Sequence, residues 1–167
     1  MKASRMRSDA GSGSYALCLS VKKQAQVRVG KHGIFDFSSG IYVYSGSALG
    51  PGGVNARLKH HFRLAVKPHW HLDWLRPYAS ILQAYFVLSV EPVECAWSKA
   101  LAQLPGSCIP AAGFGASDCR NGCQAHLIYF PDGLILEQVR SVLQAISRQE
   151  IGVFNPPDPA VLDYHKK

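Results

Sequence analysis

The chain is short of acid. It carries 11 Asp and Glu against 18 Lys and Arg in 167 residues, a formal charge of +7. That balance favours polyanionic partners over acidic proteins or neutral metabolites. Long apolar runs are also missing. None approaches the roughly 20 residues that span a bilayer, and the first ten residues put no apolar stretch behind their positive charges. A soluble, cytoplasmic protein without a membrane partner is therefore expected. The cysteines, at positions 18, 95, 108, 119 and 123, are odd in number and mostly lie among apolar residues, which excludes a complete disulfide framework and suits reduced thiols. There is no internal repeat and no low-complexity segment, and the length bounds a single domain or a domain plus tail. What is present is bulk. Seven Phe, seven Tyr and three Trp in a chain that is 47% hydrophobic suffice for a core that needs no covalent or metal staple.

Residues 1–13 are polar and end in Gly-Ser-Gly, which reads as a leader; 14–150 read as a single domain, and 151–167, with three prolines, as an irregular tail. Within the domain, strands are expected over 15–21, around Val27 and Val29, over 40–46, over 81–90 and over 126–130. In the third of these, Tyr42 and Tyr44 alternate with Ile41, Val43 and Ser45, so the tyrosines share a face. Four glycines and a proline between Gly46 and Gly53 predict a loop. A helix follows, with Val54, Leu58, Phe62 and Ala65 as its buried stripe, Lys59 and Arg63 in solvent, and Arg57 and His61, four apart, on the stripe's edge. A short helix opens in 67–75, and longer ones cover 94–104 and 134–147. Strands in an early hairpin group followed by mixed helices predict an α+β fold, a small and mainly antiparallel sheet covered by helices.

Three groups of residues have chemical potential. In the first, Tyr15, Tyr44, the glycine loop, Arg57 and His61 fall within about fifty residues. A phosphodiester hydrolase needs a base, a cation on the phosphate and usually a metal for the leaving oxygen. Arginine grips phosphate with two donors, and glycine-loop N–H groups approach anions at a helix start. By residue type alone these are also ordinary strand aromatics and a solvated arginine. The second group, Lys67, His69, His71 and Asp73, suits a transition metal, a helix start with Asp73 and His71 hydrogen-bonded and Trp70 and Trp74 packed, or a groove lined by Lys67 and His69. Cys119, Cys123 and His126, beside Asp118, have zinc-like spacing with Cys108 as the available fourth ligand; a buried thiol pair is the simpler reading. Lys59, Arg63, Lys67 and Arg76, interleaved with Trp70 and Trp74, suit backbone contact and base stacking.

Tyr44-Ser45-Gly46 followed by a helix carrying Arg57 resembles the GIY-YIG nuclease superfamily, and more closely its Uri-type branch, also found fused to DNA-repair glycosylases. The resemblance runs from Gly13-Ser14-Tyr15 through the stretch 40–48, Gly52 to Arg57, the tract 67–73 with its His-Trp-His-Leu-Asp, and 113–119 with His126-Leu127. Gly40-Ile41-Tyr42 spells the name literally but shares a strand with Tyr44. The first half-motif is therefore Gly13-Ser14-Tyr15, and Tyr42 is a supporting aromatic. The resemblance implies a DNA endonuclease with Tyr15 as base, Tyr44 orienting water or phosphate, Arg57 clamping the phosphate and His61 assisting. It implies one Mg2+ or Mn2+ held by a helix glutamate, for which Glu94 is the candidate, although a glutamate there also simply suits the helix dipole. Gly46, Lys59, Arg63, Lys67 and His69 would contact single-stranded or structured DNA.

Overall fold

The structure is a computed structural model that describes residues 11–134 and 136–157. Strands β1 (Gly13–Val21), β4 (Gly40–Ala48), β5 (Ser80–Leu88), β6 (Leu127–Phe130) and β7 (Gly152–Phe154) form one antiparallel sheet in the order β6-β4-β1-β5-β7, while β2 (Ala25–Val29) and β3 (Gly33–Phe37) pair separately. Helices are α1 (Gly53–Phe62), α2 (His71–Leu75), α3 (Glu94–Ala102) and α4 (Leu136–Ile146), with a 3-10 turn over Arg76–Tyr78. The α+β expectation holds. Among the described residues, no helix is long and apolar enough to cross a membrane.

Strand periodicity divides the core between the two faces of the sheet. Tyr15, Leu17 and Leu19 of β1, with Tyr42 and Tyr44 of β4, pack on Leu58 of α1, Leu72 of α2 and Val27 of β2. Ala16, Cys18 and Val43 point to the opposite face, against Trp97 and Leu101 of α3 and Val139 and Leu143 of α4. The central position of β1, paired with β4 on one side and β5 on the other, makes it apolar on both faces.

Four expectations change. The first strand begins at Gly13 and not at Tyr15, and just before it Ser89 N–H donates to Ser12 O at 2.9 Å. Residues 33–37, unassigned in the sequence reading, form β3, because pairing with β2 satisfies their backbone and buries Phe37 against Tyr42. Helix α1 stops at Phe62, since Arg63 is extended, so Ala65 lies outside it. The segment expected to be an irregular tail contains β7, which covers the free edge of β5, pairing Ala84 with Phe154 while Gln83 donates to Phe154 O at 3.2 Å. Residues 1–10 and 158–167 of the expected leader and tail lie outside the described residues.

Candidate active site

Neighbouring strands bring the two tyrosines together. Tyr15 sits opposite Gly46 in the β1–β4 register and Tyr44 opposite Leu17, so both rings lie on the α1 face with centroids 6.3 Å apart. Gly46 is needed beneath Tyr15, because a Cβ there would stand 2.5 Å from the phenol oxygen. Helix α1 lies across this face. Its buried positions, Val54, Leu58, His61 and Phe62, carry His61 inward, and the Tyr15 hydroxyl meets His61 Nε2 at 2.8 Å. One turn earlier, the half-buried Arg57 places its guanidinium 4.0 Å over the Trp70 ring and donates weakly to Ser47 O at 3.4 Å.

Burial sets the protonation of this cluster. It pushes Tyr15 up to about 12 and Tyr44 well above its ordinary value, with Arg57 pulling both the other way. Burial also drives His61 down to about 3 despite the opposing pull of Asp73, so the imidazole is neutral. Its Nδ1 has no hydrogen-bond partner among the described residues and faces Asp73 Oδ1 at 3.8 Å. A carboxylate on that side favours the tautomer with its proton on Nδ1, leaving Nε2 to accept from Tyr15. For Asp73, burial would raise the pKa, but His69 N–H at 2.9 Å, the His60 ring at 2.8 Å and Trp70 N–H at 3.1 Å outweigh it and hold the group ionised. The result is a line from Tyr15 through His61 to Asp73, with His60 on its outer side.

This arrangement has a pH signature. His61 takes a proton near pH 3 when folded but near 6.5 when unfolded, so between these values the unfolded chain binds more protons. Its contribution to stability is complete above about pH 6.5 and declines as pH falls toward 3. Asp73, with a lowered pKa, adds stability above the ordinary Asp value that is lost as pH falls through its folded one. Thermal melts should therefore show Tm dropping as pH is lowered from about 7.5 to about 5, and His61→Gln should reduce that slope. His71, also lowered by burial, keeps the variant's slope above zero. Equal slopes for variant and wild type would refute a buried neutral His61.

At the mouth of the cluster, α1 begins on two glycines with φ of 81° and 59°, Gly52 and Gly53, conformations closed to most side chains. Among the described residues no side chain caps this helix start, and its first turn holds no acid. The helix end therefore keeps its affinity for an anion. A pocket of about 190 Å3 opens here, lined by Gly50, Gly53, Arg57, His60 and Trp70.

Glu94 begins α3 and accepts a hydrogen bond from Ser47 Oγ. Ser47 Oγ lies 3.3 Å from Ser14 Oγ, which accepts from Val93 N–H at 2.9 Å. Ser47 is therefore the hinge between cation and carboxylate, its carbonyl under Arg57 and its hydroxyl on Glu94. A half-buried carboxylate beside hydroxyl oxygens has the donor chemistry of a hard divalent ion, which keeps most of its waters and needs one or two protein carboxylates.

Residues 14–148 match the family described as a domain of unknown function, DUF123. The chain belongs to that family. No curated protein and no solved structure matches it. The DUF123 match begins in β1 and runs past α4, so both tyrosines, Arg57, His61, Asp73 and Glu94 all fall inside it.

The other expected residues of this DUF123 domain fall in several places. Lys59, Arg63 and Lys67 are exposed and line an open groove of about 490 Å3 with His60, beside the Arg57 pocket. Gly46 is buried under Tyr15 and does not face the groove. Arg76, counted among the basic contacts, is buried instead, donating to His61 O at 2.6 Å and to Ala79 O. Trp74 packs in the core beside Gly30, so only Trp70 is at the site. The metal set His69, His71 and Asp73 does not form: His69 is exposed and gives Asp73 only its backbone N–H, while His71 accepts from Gly115 N–H at 2.8 Å and stacks on His32. His60, His61 and Asp73 converge in its place. Cys119, Cys123 and His126 do meet, but with Cys95 and not Cys108, which is exposed and bridges to Tyr129. Sequence reasoning missed His60, Ser47 and Cys95. Only the His60-His61 pair, adjacent to a motif residue, carried a signal.

Proposed function

We propose that this domain is a metal-dependent DNA endonuclease of the GIY-YIG type, akin to the Uri-type branch its motifs resemble. The observation that carries the reading is the Tyr15–His61 hydrogen bond of 2.8 Å, backed by Asp73 and flanked by Arg57 on an anion-receptive helix start. A phenol raised to about 12 is a poor resident phenolate. In a relay, Tyr15 would take a proton from the attacking water while its own passes to His61 Nε2; burial opposes charge on that ring, and Asp73 beside Nδ1 is the group that offsets it. Arg57 holds two phosphate oxygens and neutralises charge that grows in the transition state. Tyr44, packed edge-on to His61, keeps the ring in place, and Trp70 offers a face to an unstacked base. Lys59, Arg63 and Lys67 track the strand's backbone. Glu94 would hold one Mg2+ or Mn2+, which when bound supplies Lewis-acid stabilisation of phosphate oxygens.

Single-stranded, duplex and branched DNA incubated with Mg2+ or Mn2+ should be cut, with loss of cutting in chelator. Glu94→Gln should reduce the rate by at least about 10²-fold. Cutting that persists in chelator, or at wild-type rate in Glu94→Gln, would remove the metal from the mechanism. A second reading is a binding module without hydrolysis, favoured by the closure of the site: Tyr15 is 0% and Tyr44 5% exposed. Salt-sensitive DNA binding without cleavage of any substrate would establish that reading instead.

A further inference from the structure

On the α3 face of the sheet lies a second cluster that the nuclease reading does not use. Cys95 in the first turn of α3, Cys119 and Cys123 in the loop after it, and His126 just before β6 each offer one ligand atom, all within 4.8 Å of one another. Cys95 Sγ is 3.6 Å from Cys119 Sγ and 3.5 Å from His126 Nε2. A disulfide would bring sulfurs to about 2.05 Å. A tetrahedral zinc ion, with bonds of about 2.3 Å to sulfur and about 2.0–2.1 Å to nitrogen, sets its S···S edges near 3.8 Å and its S···N edges near 3.5 Å. The two edges that meet at Cys95 have those dimensions, and the other four lie within 4.8 Å.

Its surroundings are those of thiolate ligands. Asn121 donates twice, from its backbone N–H to Cys119 Sγ and from its side chain to Cys95 Sγ, both at 3.4 Å. The His126 ring turns Nε2 to Cys95 Sγ, which leaves Nδ1 on its outer side. The backbone is tied as well: His126 N–H donates to Phe114 O at 2.8 Å, and Ser45 N–H to His126 O at 2.9 Å. The segment 103–126 between α3 and β6 contains no helix or strand of its own. A connection of that length is uncommon inside a compact domain, and a metal site is one way to hold it.

We infer that Cys95, Cys119, Cys123 and His126 form a structural zinc site. Four protein ligands close the coordination sphere and leave no position for water or substrate, so the ion's work is to hold the 103–126 loop against the start of α3. Ligand atoms this close together suit one ion and not a multinuclear iron–sulfur cluster, whose ligands sit on separate metals. The inference stands independently of hydrolysis, because its readout is metal content.

The full chain, purified without chelator, should carry about one zinc ion by native and elemental mass spectrometry. Replacing it with Co2+ should give the intense visible ligand-field and thiolate charge-transfer bands of a tetrahedral thiolate site. Cys123→Ser and Cys119→Ser should lose the zinc, and Cys108→Ser should keep it. If the two variants fail to fold, the cobalt spectrum of the wild-type chain decides alone. Iron in place of zinc, no bound metal together with no cobalt spectrum, or full zinc occupancy in folded Cys123→Ser would each overturn the assignment.

Discussion

Arg57→Ala should lower the DNA cleavage rate by roughly 10³-fold while leaving the fold intact. Among the described residues, the guanidinium is the permanent cation that neighbours both tyrosines and lines the pocket at the glycine loop. Its structural ties are slight: a stacking contact with Trp70, worth about 0.5–1 kcal/mol at a partly exposed site, and one long hydrogen bond to Ser47 O. Melting should therefore shift little while the rate collapses. Arg57→Lys should not restore activity, because an ammonium cannot grip two phosphate oxygens in one plane. Single-turnover cleavage at saturating DNA separates this loss from weaker binding. A rate within about threefold of wild type would end the phosphate-clamp assignment.

Tyr15→Phe should cost roughly 10²–10⁴-fold in cleavage, the range for a positioned proton-transfer group. Deleting one oxygen leaves the ring over Gly46 and the core packing unchanged, but strips His61 Nε2 of its partner at a fully buried position. An unsatisfied buried acceptor costs about 1–3 kcal/mol, so a lower Tm is expected as well. The comparison that isolates chemistry from stability is His61→Gln, which removes the proton acceptor of the relay while still filling part of the cavity. If Tyr15 hands its proton to His61, the two single variants and the double variant lose similar activity, as residues acting as one unit do. Additive losses would mean that Tyr15 and His61 act separately.

Much of this arrangement is local and therefore readable. Strand β1 follows from a short apolar run of strand formers, the shared face of Tyr42 and Tyr44 in β4 from two-residue alternation, and Arg57 with His61 from a four-residue helical spacing. Residues joined through space left no such trace. His60 and Asp73 are 13 apart, Cys95 and Cys119 24 apart, and Ser47 and Glu94 47 apart, on elements whose packing no periodicity records. Arg76 has the composition of a surface cation, and only its carbonyl partners His61 and Ala79 account for its burial. Strand β3 hid because Ile34 and Asp36 face solvent between short glycine and serine turns, and β7 because three residues before a proline pair carry too little pattern. The depth of His61 was also illegible: at the edge of a stripe a histidine can face either way, and the Tyr15 hydroxyl decides.

Strand β4 carries Tyr44 and Gly46 on one face of its pleat and Ser47 on the other, and it is an interior strand, paired with β1 along nine residues and with β6 on its other side. A slip of one residue would exchange its two faces, sending Tyr44 toward α3 and parting Ser47 from both Arg57 and Glu94. Pairing on both flanks forbids that slip. Changes in the length of the β3–β4 turn must then be absorbed within the turn itself, and the spacing between phenol, guanidinium and carboxylate is insulated from drift in the hairpin that precedes it.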